Sequence, residues 1–398
     1  MTPPRERIVA GCMTGTSLDG LDAALVRIVG TGLDMTAQYL GWVSHDMPPE
    51  LRETLMHLAS GGAAEPLTYL RAARGVGELY ADSVQRLLDE TQGPRPEFVV
   101  AHGQTIWHAP KDDGGPKSWQ LFDPWPVVKR IGVPVCYDLR QADLIAGGEG
   151  APLTPLADWV MYREKADVVL NLGGIVNHTT LFDDDFEYLP ACDIGPCNIL
   201  LDGLNQRLLG TPYDEDGATA AKGKRVQPVL HAIGKAIRSK HREHGHPASL
   251  GRELYNTAWL DELAESIRPL ASIEDILHTA VIHTAIDACT AVDEYDEADF
   301  GETRRHTVVL AGGGTKNRAL VDQIRANLGS QDVDLKMDYD YDVLLSDDLG
   351  IPCEAREAMG FAVLGALSRD GVPCSLPQVT GAKDPGVAGV WAGVGQGD

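Results

Sequence analysis

Thr14, Thr16, Ser17, Asp19 and Asp22 crowd together with Gly11, Gly15 and Gly20 in one short run, groups that can hold a polyphosphate. Taken alone, 15–20 reads as an ordinary hairpin turn, and it gains weight only beside the other glycine turns. Glycines let backbone N–H groups close on an anion with no Cβ in the way, hydroxyls add donors, and carboxylates can carry the accompanying metal. Asp193, in Cys192-Asp193-Ile194-Gly195-Pro196-Cys197-Asn198, is a second candidate. It is either a general base or a carboxylate at the N-terminus of a helix over 198–209, following a strand over 186–189. His102 and Gln104 follow a buried strand over 98–101, placed for substrate contact or to satisfy backbone at the strand end. Gly312, Gly313 and Gly314 lie between a strand over 306–311 and helical spacing over 319–328, where backbone can approach a flat ring or an anion.

The elements that position these groups read as follows. Ile8-Val9-Ala10 and the apolar run 23–29 flank the first loop, giving strand, tight loop, strand. Helical spacing covers 49–59 and 67–89, and a strand over 133–137 delivers Asp138-Leu139-Arg140. Between them, 111–126 reads as a surface loop rich in Pro, Gly and Asp, and 143–154 as a Gly-rich lobe boundary or cleft segment. Residues 167–181 form a second strand–glycine turn–strand around Gly173 and Gly174, as a duplication would produce. Asp214 and Asp216 read as a turn. Trp107 and Trp119 could stack on a sugar face, although core packing is expected for at least one. Residues 352–368 read as an apolar helix with Glu354, Arg356 and Glu357 near its start.

With 398 residues, two lobes are the natural prior. A net charge of −24 disfavours nucleic acid and anionic membranes. No apolar run approaches the roughly 20 residues that span a bilayer, and no signal peptide precedes the first strand, so cytoplasmic residence is expected. The seven scattered cysteines lack a C-x-x-C pair and read as reduced thiols. The histidine-rich tract 241–246 reads as a solvated polar loop rather than a metal site. There is no P-loop signature, G-x-S-x-G elbow, H-E-x-x-H or Rossmann fingerprint, which removes the parts for hydride transfer, serine hydrolysis and zinc proteolysis.

The chain resembles the anhydro-N-acetylmuramic acid kinase family of the actin-like ATPase and sugar kinase superfamily. The resemblance rests on MTGTSLDGLD (13–22), AHGQTIWHAP (101–110), AGGEGAPLTP (146–155), NLGGIVN (171–177) and DIGPCNILLD (193–202). YDEDGA (213–218), GREL (251–254), AGGGTKN (311–317) and VTGA (379–382) complete a set in family order along essentially the whole chain. It implies an α/β, two-lobed actin-like (ribonuclease H-like) fold with an interlobe cleft, one lobe from 1–145 plus 358–398 and the other from 146–357. It also implies ATP and Mg²⁺ as cofactors, and a kinase that hydrolyses the bridge of a 1,6-anhydro sugar and phosphorylates the freed 6-oxygen, as part of cell-wall recycling.

By that resemblance the catalytic base falls on Asp193, deprotonating the water that attacks the anomeric carbon. ATP contacts fall on Gly15, Thr16, Ser17, Leu18, Asp19, Gly20, Leu21 and Asp22, on Gly173 and Gly174, and on Gly312, Gly313, Gly314 and Asn317. Mg²⁺ falls near Asp19 and Asp193, and sugar contacts on His102, Arg140, Asn177 and Glu357. The partner is a small anhydrosugar, and the expected assembly is a homodimer. The sequence departs from the family pattern at Cys192, Ile194 and Cys197 around the base, at Glu149 and Glu215, and at Ala248-Ser249-Leu250. Glu149 and Glu215 favour the rival reading of an uncharged anhydrosugar such as levoglucosan. A non-catalytic nucleotide-binding relative is the third reading, opposed by the retained Asp193.

Overall fold

The computed structural model describes residues 4–15, 18–110, 114–181, 189–244, 250, 254–296, 306–329 and 341–393. In chain order the first elements are β1 (Glu6–Thr14), β2 (Gly20–Val29), β3 (Thr36–Asp46), α1 (Pro49–Ala59) and α2 (Pro66–Thr91). They are followed by β4 (Phe98–Ala101), β5 (Gln104–Ala109), β6 (Lys117–Leu121), α3 (Trp125–Ile131), β7 (Val135–Tyr137), α4 (Gln141–Ile145) and α5 (Pro155–Tyr162). Next come β8 (Val168–Leu172), β9 (Ile175–Thr180), β10 (Ala191–Pro196), α6 (Asn198–Leu209), α7 (Gln227–His244), α8 (Thr257–Ile267) and α9 (Ile273–Asp296). The chain finishes with β11 (His306–Ala311), α10 (Arg318–Gly329), β12 (Tyr341–Leu345), α11 (Arg356–Arg369), α12 (Pro377–Thr380) and β13 (Val390–Ala392).

These elements form two compact units, residues 1–161 with 350–398 and residues 162–349. In the first, the sheet order is β13-β7-β4-β1-β2-β3. β1, β2 and β3 pair antiparallel, while β4 and β7 extend the other side in parallel. In the second, the order is β10-β9-β8-β11-β12, again with an antiparallel meander on one side and two parallel strands on the other. Numbered within each unit, both sheets read 3-2-1-4-5, and β13 is an added antiparallel edge on the first. Two Gly-turn hairpins that looked related in sequence therefore occupy the same place in two sheets of one topology. The fold is the α/β, actin-like, ribonuclease H-like class.

Local patterns explain the elements. In α2, Val76, Leu79, Tyr80, Val84 and Leu87 recur at helical spacing and are all buried. The helix stops where Gln92 turns left-handed, at φ 50°, and its N–H closes on Leu88 O. Helix α11 is buried on nearly every face and crosses β1 at Gly11, where an added Cβ would lie 1.9 Å from Ala358 O. Ala10, Leu25, Val76, Tyr80 and Val99 belong to the first core, and Val168, Leu170, Leu204, Ile233 and Val308 to the second.

Several expectations are corrected. Residues 114–126 are not a plain loop: β6 pairs antiparallel with β5, burying Ser118 and Leu121, and α3 begins at Trp125. Trp107 and Trp119 face each other across that ribbon and stay half-exposed, Trp119 stacking on Tyr69 at 5.3 Å, so neither is core. The strand expected over 186–189 falls almost wholly outside the described residues. Asp193 instead sits inside β10, opposite Asn177. The tract 241–246 is helical through His244, with His241 Nε2 2.7 Å from the Tyr255 hydroxyl; 245 and 246 are outside the described residues. Helix α11 begins at Arg356, four residues later than read. The segments 146–161 and 350–357 group with the first unit: Gly150 N donates to Asp143 and Glu149 N to Thr380 O, and buried Asp158 on α5 pairs with buried Arg356, Nε to Oδ1 at 2.9 Å.

Candidate functional site

The first unit gathers its polar groups where β1 ends. Thr14 donates from Oγ1 to Gly103 O at 2.8 Å and lies 3.1 Å from the Tyr80 hydroxyl, which also accepts from Gly103 N. Gln104, fully buried, donates from Nε2 to Gly15 O at 3.1 Å. These bonds fix the entry to the hairpin loop. At its exit Asp19 Oδ1 accepts from Gly20 N and Asp19 O from Met47 N. A Cβ on Gly20 would meet His45 O at 2.8 Å, so glycine is required there. Leu18 (φ 57°) and Leu21 are buried in the core, leaving only their backbone for a nucleotide. Thr16 and Ser17 lie outside the described residues.

Carboxylates dominate the base of this loop. Burial pushes Asp22 up to about 6, partly offset by the Ser44 hydrogen bond, and the charges of Glu357, Asp19 and Glu354 push it further. Asp19, Asp22, Glu354 and Glu357 are therefore one electrostatic group, assembled from the hairpin and the start of α11. His102, just after β4, and Arg140, just after β7, meet each other. The Arg140 Nη2 and Nε lie 3.0 and 3.3 Å from His102 Nε2, and Nη1 donates to Gly150 O at 2.5 Å. Burial, then the Arg140 charge, drive the imidazole down to about 3. It is neutral, and Nε2 is the acceptor.

The second unit builds its site on the β8–β9 hairpin. Asn171 at the end of β8 donates to Asn177 Oδ1 at 3.2 Å, and Asn177 Nδ2 donates to Asp193 Oδ1. Leu250 N–H holds the other oxygen, Asp193 Oδ2, at 2.6 Å. A register shift between Asp193 and Gly195 bends β10 at this point. The carboxylate is thus held by an amide chain and a loop, not by the N-terminus of α6, and the helix-cap alternative is set aside. Gly173 O and Gly174 O instead accept the N–H groups that open α6, from Asn198 and Cys197.

Beside this hairpin the triple-glycine turn packs closely on β8. Cβ atoms on Gly312 and Gly314 would lie 2.5 Å from Asn171 Oδ1 and 2.8 Å from Leu172 O. Gly313 alone is open, with nothing nearer than Asn198 Nδ2 at 3.9 Å. Asn317 caps α10, its Oδ1 accepting from Leu320 N at 3.1 Å. Asp214 accepts from Thr219 N and Ala220 N, the turn expected there. Asn171 and Asn198 went unremarked in sequence, although each falls inside a quoted motif.

Likeness to known proteins decides the family. A family model described as Anhydro-N-acetylmuramic acid kinase matches residues 7–392. The chain belongs to the anhydro-N-acetylmuramic acid kinase family. A kinase of that name from Bordetella petrii is 35% identical over 389 residues, covering 96% of this chain and 95% of the relative. Another from Salinibacter ruber is 34% identical over 393 residues, covering 95% and 94%. Among solved structures, the (R)-2-hydroxyglutaryl-CoA dehydratase component A of Acidaminococcus fermentans matches with a TM-score of 0.47 at 12% identity, over 92% of this chain and 99% of that one. Membership of the anhydro-N-acetylmuramic acid kinase family makes the chain an enzyme, a kinase with a small sugar as its substrate class. Among the described residues no helix is long and apolar enough to cross a membrane.

Proposed function

We propose that this kinase converts 1,6-anhydro-N-acetylmuramic acid, ATP and water to the 6-phosphate of the opened sugar and ADP. Asp193 is the base. It takes a proton from water as the water oxygen bonds to the anomeric carbon. The bond from that carbon to the 6-oxygen breaks, the 6-oxygen bonds to the γ-phosphorus, and ADP leaves. The proton on Asp193 then passes to solvent. Asn177 aims the carboxylate, and the N–H groups of Asn177 and Leu250 hold it in one orientation. Arg140, with neutral His102 as its acceptor, and Glu357 are assigned to the sugar.

The 15–22 loop is assigned to the phosphates, and Gly173, Gly174, Gly312, Gly313, Gly314 and Asn317 to the nucleoside side. The donor set suits Mg²⁺: burial first, then the charges of Glu357, Asp19 and Glu354, raise the Asp22 pKa, and a hard cation would relieve that repulsion. Among the described residues no three His, Cys, Asp or Glu side chains are placed to hold a metal ion by themselves. When bound, Mg²⁺ would neutralise charge on the phosphates; Asp19, and Asp193 through water, are the residues assigned to hold it.

The observation that carries this reading is the Asp193 carboxylate, fixed on a bulged strand by two donors within the motif the family shares. Asp193→Asn should lower product formation by about a thousand-fold, with ATP affinity by titration calorimetry unchanged. Undiminished turnover would remove the base assignment. Phosphorylation of levoglucosan but not of the muramic sugar would move the substrate to the uncharged class.

A further inference from the structure

Asp143, on α4, is completely buried, yet none of the residues bonded to it is a cation. Four contacts surround its carboxylate and backbone. Oδ2 accepts from Gly150 N at 2.7 Å, and Oδ1 accepts from the hydroxyls of Thr380, at 2.6 Å, and Ser375. Its backbone oxygen accepts from Gly148 N at 2.9 Å. A Cβ on Gly148 would sit 2.3 Å from Oδ2, so the Gly147-Gly148-Glu149-Gly150 segment is wrapped directly on this side chain. The same segment is stitched to the C-terminal stretch by Glu149 N to Thr380 O and Lys383 N to Ala146 O, both 2.9 Å. On its other side Gly150 O receives Arg140 Nη1.

A carboxyl group buried at this depth needs well-aimed partners, and here two hydroxyls and one backbone N–H supply them. We infer that Asp143 is a positioning residue for Arg140: by clamping Gly150 against Ser375 and Thr380 it fixes the carbonyl that orients the guanidinium, and so sets affinity for the anhydrosugar. The stretch 374–383 is then part of the apparatus that holds Arg140. A purely structural Asp143 would lower the amount of folded enzyme, and with it the apparent kcat. A positioning Asp143 instead moves the sugar KM.

This inference rests on the assignment of Arg140 to the sugar, so both are tested in one set of steady-state assays on the full chain. The variants are Asp143→Asn, Arg140→Ala and their double, with Ser375→Ala and Thr380→Val as milder changes that leave the carboxylate in place. Thermal unfolding confirms that each is folded. The expected result is a sugar KM raised about ten-fold in Asp143→Asn, with the ATP KM and kcat within about two-fold, and a smaller rise in each hydroxyl variant. In the double variant the rise should be no greater than in Arg140→Ala alone, since both losses act through one guanidinium. An unchanged sugar KM in Asp143→Asn and in the hydroxyl variants, or losses that multiply in the double, overturns the role of Asp143 while leaving Arg140 intact. An unchanged sugar KM in Arg140→Ala overturns the assignment of Arg140, and the inference with it.

Discussion

Asp22 is held against its own interest at neutral pH. Its folded pKa, about 6, lies above that of a free carboxyl, so it favours the fold only while protonated. That contribution is full below about pH 4 and is lost as pH rises through about 6. Asp22→Asn should therefore raise the thermal midpoint at pH 8 and leave it nearly unchanged at pH 4. Unfolding followed by circular dichroism at both pH values checks this, and a lower midpoint at pH 8 would contradict it. His102 runs the other way. Its pKa is lowered to about 3, so its contribution is full above about pH 6.5 and fades as pH falls toward 3. That loss is common to both proteins and drops out of the comparison.

At the scale of elements, the crossing of α11 over β1 carries the sharpest steric demand. Gly11→Ala places a methyl 1.9 Å from Ala358 O and 2.6 Å from Ala362 N, both backbone atoms that cannot swing aside. The expected loss is about 3 kcal/mol of unfolding free energy in urea titration; a loss under about 0.5 kcal/mol would mean that the helix shifts freely. Legibility in sequence followed how local each signal was. The two Gly-turn hairpins, α1, β4 and α6 were readable because alternation, turn residues and helical spacing lie within each segment. β6 was not, since Pro, Gly and Asp around it read as loop and its pairing with β5 is set by Trp107, Trp119 and Gln120 across the ribbon. Asp193 is singled out by its motif, but the strand β10 that carries it is not legible, because the bulge at 193–195 interrupts the alternation. Asp143 was passed over because no spacing links it to Ser375 and Thr380, more than two hundred residues away.

At the scale of the whole molecule, the duplicated 3-2-1-4-5 sheets and the charge of −24 are the governing facts. Self-repulsion on that scale weakens the compact state and is screened by salt. The Debye length falls from about 30 Å at 0.01 M to about 8 Å at 0.15 M ionic strength. The thermal midpoint should rise by a few degrees over that range, as differential scanning calorimetry would record; a falling midpoint would show that attractive ion pairs dominate instead. The duplication places a glycine turn at the corresponding hairpin of each unit, and the chemistry assigned here differs between them, phosphates at 15–22 and the base at Asp193. In the proposed reaction water, and not only the sugar, is a reactant. Incubation of the enzyme with the muramic anhydrosugar, ATP and Mg²⁺ in oxygen-18 water, followed by mass spectrometry of the product, reads this directly. The account predicts one label on the anomeric hydroxyl, none in the phosphate, and one ADP per sugar phosphate. Label in the phosphate, or ADP released with the sugar bridge intact, would contradict it.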